Sequence, residues 1–401
     1  MLEIKMNMVQ TIGLAVLALV VGSLLKKNVK FFETYHIPSP VIGGFLFALI
    51  HLLLRTAGLV SFNFDSTLQT FFMTMFFTSI GFNASWKLLK VGGRKVVLFL
   101  IAAIGLVVAQ NFTAVGLGTL LGLDPLLALM TGSTPMTGGH GTSAAVAPQV
   151  EALGIQGAST IAIAAATFGL IAGSSLGGPL AKSLIKRKNI KVETEDSKNT
   201  TDENDELLFG KEVKTLDGEN FTKAFFIILF AMFVGTYLSD FINQFLKFPA
   251  YIGPMLVAAI VRNIADNTNR FSLHYEEIRI IEDVSLNLFL GMAMITLKVW
   301  ELAGVAGSLV ILLLAQTVVA WLYIYFVTFR IMGSNYDAVV MSAGHMGFGM
   351  GATPNGMANM KSVCEKYTYS RVAFFVLPIV GALFIDFFNI TIISSFLSWL
   401  S

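Results

Sequence analysis

The sequence predicts an all-α integral membrane protein: ten transmembrane helices in two inverted five-helix repeats, each with a re-entrant hairpin. Three observations predict it. Hydrophobic residues make up 55% of the 401 residues and charged residues 13%, with mean hydropathy +0.73; soluble domains carry roughly a quarter charged residues. The apolar runs are long and continuous, whereas a membrane β-barrel alternates in ~10-residue segments. Two apolar stretches, one in each half, are interrupted by glycine and proline where a membrane helix would be unbroken.

Windows of ~20 apolar residues fall near 8–25, 38–54, 67–82, 96–121, 156–181, 221–243, 249–265, 281–297, 303–328 and 372–396. The first run lacks a charged leader and a small-residue cleavage site, so no cleavable signal is expected. Cys364 is the single cysteine, which excludes an intramolecular disulfide and a cysteine-built metal cluster. The broken stretches lie between spans four and five and between spans nine and ten. Each goes in and out on one side, so ten spans leave both termini on one face. Cytoplasmic loops carry an excess of Lys and Arg. With the termini outside, the inner segments hold Lys26, Lys27 and Lys30, then Lys87, Lys90, Arg94 and Lys95. Further along they hold Lys182 to Lys191, Arg262, Arg270, Arg279, Arg330, Lys361, Lys366 and Arg371. The outer segments hold little beyond Lys5, Arg55, Lys247 and Lys298. Both termini are therefore expected outside.

Residues 186–220 are charged and poor in aromatics, the composition of a largely disordered cytoplasmic linker. They separate an N-terminal repeat, 1–185 with its hairpin at 124–151, from a C-terminal repeat, 221–401 with its hairpin at 335–362. The halves resemble each other. Pro38-Ser39-Pro40-Val41-Ile42-Gly43 opens the second span, and Pro249-Ala250-Tyr251-Ile252-Gly253-Pro254 the seventh. Asp124 begins one broken stretch and Asp337 the other, and Gly173 matches Gly381, all at an offset close to 210 residues. Five spans per half is odd, so the halves run in opposite senses, as in many secondary transporters.

Irregular backbone at membrane depth persists only where protein or a wet cavity covers it, and paired interruptions of this kind point to a substrate site. Amides at half-helix N-termini hold a carboxylate without a buried cation. The candidate substrate-binding residues are Thr137, Gly138, Gly139, His140, Gly141 and Thr142 in the first stretch. In the second they are Gly347, Gly349, Gly351, Thr353, Pro354 and Asn355. Carbonyls at half-helix C-termini, with Ser, Thr and Asn oxygens, suit a hard cation such as sodium. The candidate ligands are Ser133, Thr134, Asn359, Asp386 and Asn389. Asp386 lies mid-span with Asn389 on the same helical face, and a carboxylate at that depth is a cation ligand or a packing anchor. The competing reading is that glycines and small hydroxyls serve close helix packing. Their recurrence at the same place in both halves favours binding. His345 is expected to be a structural donor, and His140 is open between structure and function.

The chain resembles the sodium/glutamate symporter family. Thr137-Gly138-Gly139-His140-Gly141-Thr142 and Gly344-His345-Met346-Gly347-Phe348-Gly349-Met350-Gly351-Ala352-Thr353-Pro354 carry the resemblance. Ala358-Asn359-Met360, Leu123-Asp124-Pro125, Ala166-Thr167-Phe168-Gly169-Leu170 and Asp386 with Asn389 support it. The resemblance implies sodium-coupled glutamate uptake by elevator-like alternating access. It also implies a homodimer in a bacterial cytoplasmic membrane, with sodium as coupling ion and no cofactor. The implied partners are glutamate, sodium ions and membrane lipid, and no nucleic acid. A carrier of another small carboxylate is the alternative. No zincin motif, nucleophile elbow or phosphate loop argues for an enzyme.

Overall fold

A computed structural model describes residues 1–91, 93–190, 217–244, 249–268, 273–302 and 306–401. Most of the predicted linker, 191–216, lies outside the described residues. The first half runs through α1 (Met8–Asn28), α2 (Ser39–Thr56), α3 (Thr67–Gly81) and α4 (Gly93–Leu120). Three short pieces follow, α5 (Pro125–Leu129), α6 (Ser133–Met136) and α7 (Gly139–Ala152), and then α8 (Ala158–Lys188). The second half holds α9 (Gly218–Ile242), α10 (Ile252–Thr268), α11 (Tyr275–Ile295) and α12 (Ala306–Ile331). After them come α13 (Tyr336–Gly349), α14 (Thr353–Lys366) and α15 (Arg371–Leu400).

A helix stands at each predicted span. Seven of them, α1, α2, α4, α8, α9, α12 and α15, are long and apolar enough to cross a membrane. Of the others, α3 has 15 residues and α10 has 17. The first half of α11 carries Glu276, Glu277, Arg279, Glu282 and Asp283. The broken stretches are helical pieces meeting at a turn, and each starts on the same chemistry. The Asp124 carboxylate accepts from the Leu126 amide at 2.8 Å, and the Asn335 side chain accepts from Ala338 at 3.0 Å. Such N-caps satisfy amides that have no helical partner.

Not every element is helical. β1 (Leu2–Met6) pairs in parallel with β2 (Val60–Phe64), Ile4 opposite Phe62. Both are short apolar–polar alternations, Leu-Glu-Ile-Lys-Met and Val-Ser-Phe-Asn-Phe, the period of a half-buried strand. The pair ties the N-terminus to the α2–α3 connection, and Asn7 then starts α1 with a reciprocal capping box to Gln10.

Two close crossings recur. A Cβ on Gly43 would overlap the Ala18 carbonyl, which presses α1 against α2, and one on Gly253 would overlap the Gly235 carbonyl, which presses α9 against α10. The first hairpin is buried in an apolar core with α2, α3, α8 and α11. The second sits in another with α4, α8, α12 and α15. Two wide turns interrupt long helices, at Ile324–Thr328 in α12 and Ile379–Phe384 in α15. Such π-type turns free carbonyls from the helix ladder.

Candidate functional site

The hairpin tips meet. Gly139 opens α7 at φ +60°, and a Cβ there would stand 3.3 Å from the Gly351 carbonyl of the other hairpin. Around this junction lies a cavity of about 700 Å³. Thr137, Gly138, Gly139, His140, Gly141 and Thr142 line it from the first hairpin, and Gly351, Thr353 and Pro354 from the second. The N-termini of α7 and α14 both start here, and neither has a side-chain cap. The amides of Gly139, His140 and Gly141 and the positive ends of two helix dipoles are therefore left to a ligand; at α14, Pro354 carries no amide hydrogen and the Asn355 amide already donates to the Ala352 carbonyl at 3.0 Å.

The opposite wall has charge of the other sign. Glu282 and Asp283 of α11 and Asp386 of α15 line the cavity, and Arg279 is its one lysine or arginine among the described residues. Asn83 Nδ2 donates to Glu282 Oε2 at 3.3 Å. Phe76, Leu286, Leu290 and Phe348 supply apolar surface. The site thus offers amide donors and a guanidinium to anions, and three carboxylates to cations.

His140 is both structural and site-lining. Thr167 gives its proton to the Ile163 carbonyl at 3.0 Å, so it meets His140 Nε2 at 2.9 Å with a lone pair. The ring therefore carries its hydrogen on Nε2. Thr353 donates to the carbonyl of Gly381, within the wide turn of α15, at 2.6 Å. That bond joins the second hairpin tip to α15.

A scan against family models matches residues 4–369 to the sodium/glutamate symporter family. The chain is 39% identical over 386 residues to the sodium/glutamate symporter of Haemophilus influenzae, covering 95% of this chain and 94% of that one. It is 38% identical over 389 residues to the sodium/glutamate symporter of Escherichia coli, covering 96% of each.

The chain belongs to the sodium/glutamate symporter family.

Among solved structures, the sodium proton antiporter of Methanocaldococcus jannaschii matches over 98% of both chains at 14% identity. The TM-score is 0.41. In this symporter-family chain the cavity gathers nine of the twelve residues expected at the substrate site and leaves out three. Gly347 packs against Gly356, where its Cβ would meet that residue's Cα at 2.5 Å. A Cβ on Gly349 would press on Leu106 at 2.8 Å, so that glycine serves packing. Asn355 is fully buried and donates to the Leu170 carbonyl and the Ser174 hydroxyl of α8. Gly347 is thus turned to α14, Gly349 to α4 and Asn355 to α8, each away from the tip.

The expected cation ligands divide. Asp386 reaches the cavity. Asn389 Nδ2 donates to the Ser133 carbonyl at 3.3 Å, so Ser133 and Asn389 are neighbours. Ser133 Oγ, Thr134 Oγ1 and Asn389 Oδ1 are buried and have no hydrogen-bond partner among the described residues. Asn359 is elsewhere: its amide donates to the Gly173 and Ala343 carbonyls and bridges α8 to α13. His345 is buried beneath Phe348 at 4.8 Å, with Thr328 at 3.0 Å from Nδ1, which is a structural setting.

Glu282 and Asp283 stand at the end of a predicted span, and Arg279 in the cytoplasmic segment before it. The structure brings all three to the cavity. A signal was present: Glu282, Leu286 and Leu290 recur every four residues on one helical face. Sequence spacing could not tell that this face meets the hairpin tips.

Proposed function

We propose that this protein carries glutamate into the cell together with sodium, through the cavity between the hairpin tips. The observation that carries the reading is the convergence of two uncapped helix N-termini, one guanidinium and three carboxylates on one cavity. Glutamate brings two carboxylates and one ammonium. Its α-carboxylate fits the amides that open α7, where dipole and donors act together, with the dipole of α14 pointing at the same place. Its side-chain carboxylate fits Arg279, whose fork of donors suits a carboxylate. Glu282, Asp283 and Asp386 offset the ammonium and the coupling ion.

Sodium takes oxygen ligands, and Ser133 Oγ, Thr134 Oγ1 and Asn389 Oδ1 are buried oxygens with lone pairs unspent. A buried polar atom without a partner costs stability, and a cation among these three would remove that cost. Asp386 lies one turn before Asn389 and borders the cavity, on the route such an ion would take.

Alternating access is part of the same reading. The paired glycine crossings and the matched hairpin N-caps support two inverted repeats of five spans, 1–185 and 221–401. The lining residues His36, Asn83, Arg279 and Phe374 belong to segment ends predicted cytoplasmic, which supports an inward-open form. Transport then requires the hairpins, with α8 and α15, to carry the site past a static frame that includes α1, α2, α9 and α10. The exposed stripe Phe226, Phe230, Phe233, Tyr237 and Phe241 on α9 suits a bilayer-facing frame in a homodimer.

Uptake into proteoliposomes tests the function. An inward sodium gradient should drive glutamate accumulation. Accumulation that ignores sodium and follows a proton gradient would overturn the cation assignment, and preference for a hydroxy or dicarboxylic acid would favour the alternative substrate.

A further inference from the structure

Gln110 of α4 is completely buried and joins the two hairpin tips. Its Nε2 donates to the Gly349 carbonyl at 2.6 Å. Gly349 ends α13, so that carbonyl has no helical partner and needs a donor. A carbonyl only accepts, which fixes the orientation of the amide: Nε2 must face Gly349, and Oε1 must face the other way. Oε1 meets Thr137 Oγ1 at 2.9 Å. An amide oxygen also only accepts, so Thr137 must be the donor. The second group behind that hydroxyl, the Gly349 carbonyl at 3.3 Å, is again an acceptor. The single proton of Thr137 is therefore directed into the protein. Gln316 holds the backbone behind this relay, its Nε2 donating to the Gln110 carbonyl at 2.8 Å.

Thr137 is 6% exposed, and its exposed part borders the cavity. We propose that Gln110 is a positioning residue that turns Thr137 into an obligate acceptor, so that the Thr137 hydroxyl receives a cationic group of the cargo, not a carboxylate. This rests on the symport reading above and deepens it. The cationic group is either the substrate ammonium or the coupling sodium. An ammonium fits directly, because in an α-amino acid it is attached next to the carboxylate, and the free amides of Gly139 to Gly141 follow Thr137 in the chain.

Four variants decide it: Thr137→Val, Thr137→Ser, Gln110→Leu and the Gln110→Leu/Thr137→Val double variant. For each, proteoliposome uptake gives the glutamate KM at saturating sodium and the sodium concentration for half-maximal uptake. Inhibition by glutarate, which keeps both carboxylates and lacks the ammonium, is the third reading. Losing a hydrogen bond to a charged group corresponds to about ten- to a hundredfold in affinity. If the ammonium is received, Thr137→Val weakens glutamate by that factor, leaves glutarate alone and leaves the sodium requirement unmoved. If sodium is received, its half-maximal concentration rises by that factor and the glutamate-to-glutarate ratio is constant. Thr137→Ser should restore whichever quantity moved. Equal weakening of glutamate and glutarate would mean that the hydroxyl serves a carboxylate, and the proposal falls. It falls also if nothing moves.

Gln110→Leu should shift the same quantity, and the double variant should add little to Thr137→Val. Additive effects would return Gln110 to a purely structural role. If Gln110→Leu does not fold, Gln110→Glu replaces it. A neutral carboxylic acid can donate to Gly349 and accept from Thr137 in the same geometry, whereas a carboxylate cannot donate. The quantity should then match the parental value wherever the acid is neutral, recovering as pH is lowered if it ionises, and a value that stays shifted at every pH overturns the positioning role. Absence of sodium-driven uptake by the unaltered protein would count against the function itself, and normal uptake with unmoved variants against this inference alone.

Discussion

At the scale of single residues, glycines of similar appearance have different jobs. Gly139 holds φ +60° and faces Gly351 across the hairpin junction. A branched residue there is strained by roughly 1–2 kcal/mol, and its side chain enters the cavity. Gly139→Val should therefore reduce glutamate uptake more than about tenfold, with protein still recovered from the membrane. A Cβ on Gly178 meets nothing within 4 Å. Gly178→Ala should keep uptake near the parental value and raise the melting temperature slightly, because alanine favours a helix by up to ~1 kcal/mol over glycine. Equal loss in the two variants would contradict the distinction. Asp386 borders the cavity, so Asp386→Asn should raise the sodium concentration for half-maximal uptake while expression stays the same. An unchanged sodium curve would make Asp386 a packing anchor.

At the scale of elements, function is built from interruptions. The wide turn in α15 holds the Gly381 carbonyl, to which Thr353 at the start of α14 donates at 2.6 Å. Removing the donor leaves a buried acceptor unpaired, which costs about 1–3 kcal/mol. Thr353→Val should lower the melting temperature in detergent, and Thr353→Ser should recover most of the loss. The short helix α6 presents two buried hydroxyls without donors beside Asn389. Asn389→Ala should weaken sodium activation more than it weakens glutamate binding at saturating sodium. A glutamate defect that sodium cannot compensate would take this cluster out of the ion site.

At the scale of the whole molecule, the two hairpins are read as entering from opposite faces. Cys364 near the end of α14 is part-exposed and is the one native thiol. In intact cells a membrane-impermeant maleimide should leave it unlabelled, and the same reagent on inside-out vesicles should label it. In a Cys364→Ser background, Leu153→Cys gives the opposite reporter, because Leu153 ends the first hairpin and is 56% exposed. It should label from outside. Both thiols reporting the same face would remove the inverted repeat, and with it the alternating gates. The parallel pairing of β1 with β2 fits two crossings between them, since α1 and α2 separate the strands and return the chain to the same face.

Much of this was legible in the sequence because the bilayer constrains it so strongly. Apolar runs long enough to cross must be helical, lysine and arginine bias orients them, and a glycine-broken run must be covered by protein. These rules located the long helices among the described residues, both interrupted stretches and nine residues that line the cavity. The sequence missed what depends on which faces meet. Leu2–Met6 and Val60–Phe64 are too short to be recognised as strands until they lie side by side. Glu282 and Asp283 look like solvated end residues until α11 is packed against the hairpin tips. Gly349 carries the same motif signature as Gly351, yet one turns to Leu106 and the other to the cavity. Gln110 is a buried amide like any other until Gly349, 239 residues away, presents a carbonyl to it. Local composition determines which segments are helical and where they break, because those costs are paid within the segment. Only the tertiary structure decides which side chains share a cavity and which way a buried proton points, because both depend on partners distant in the chain.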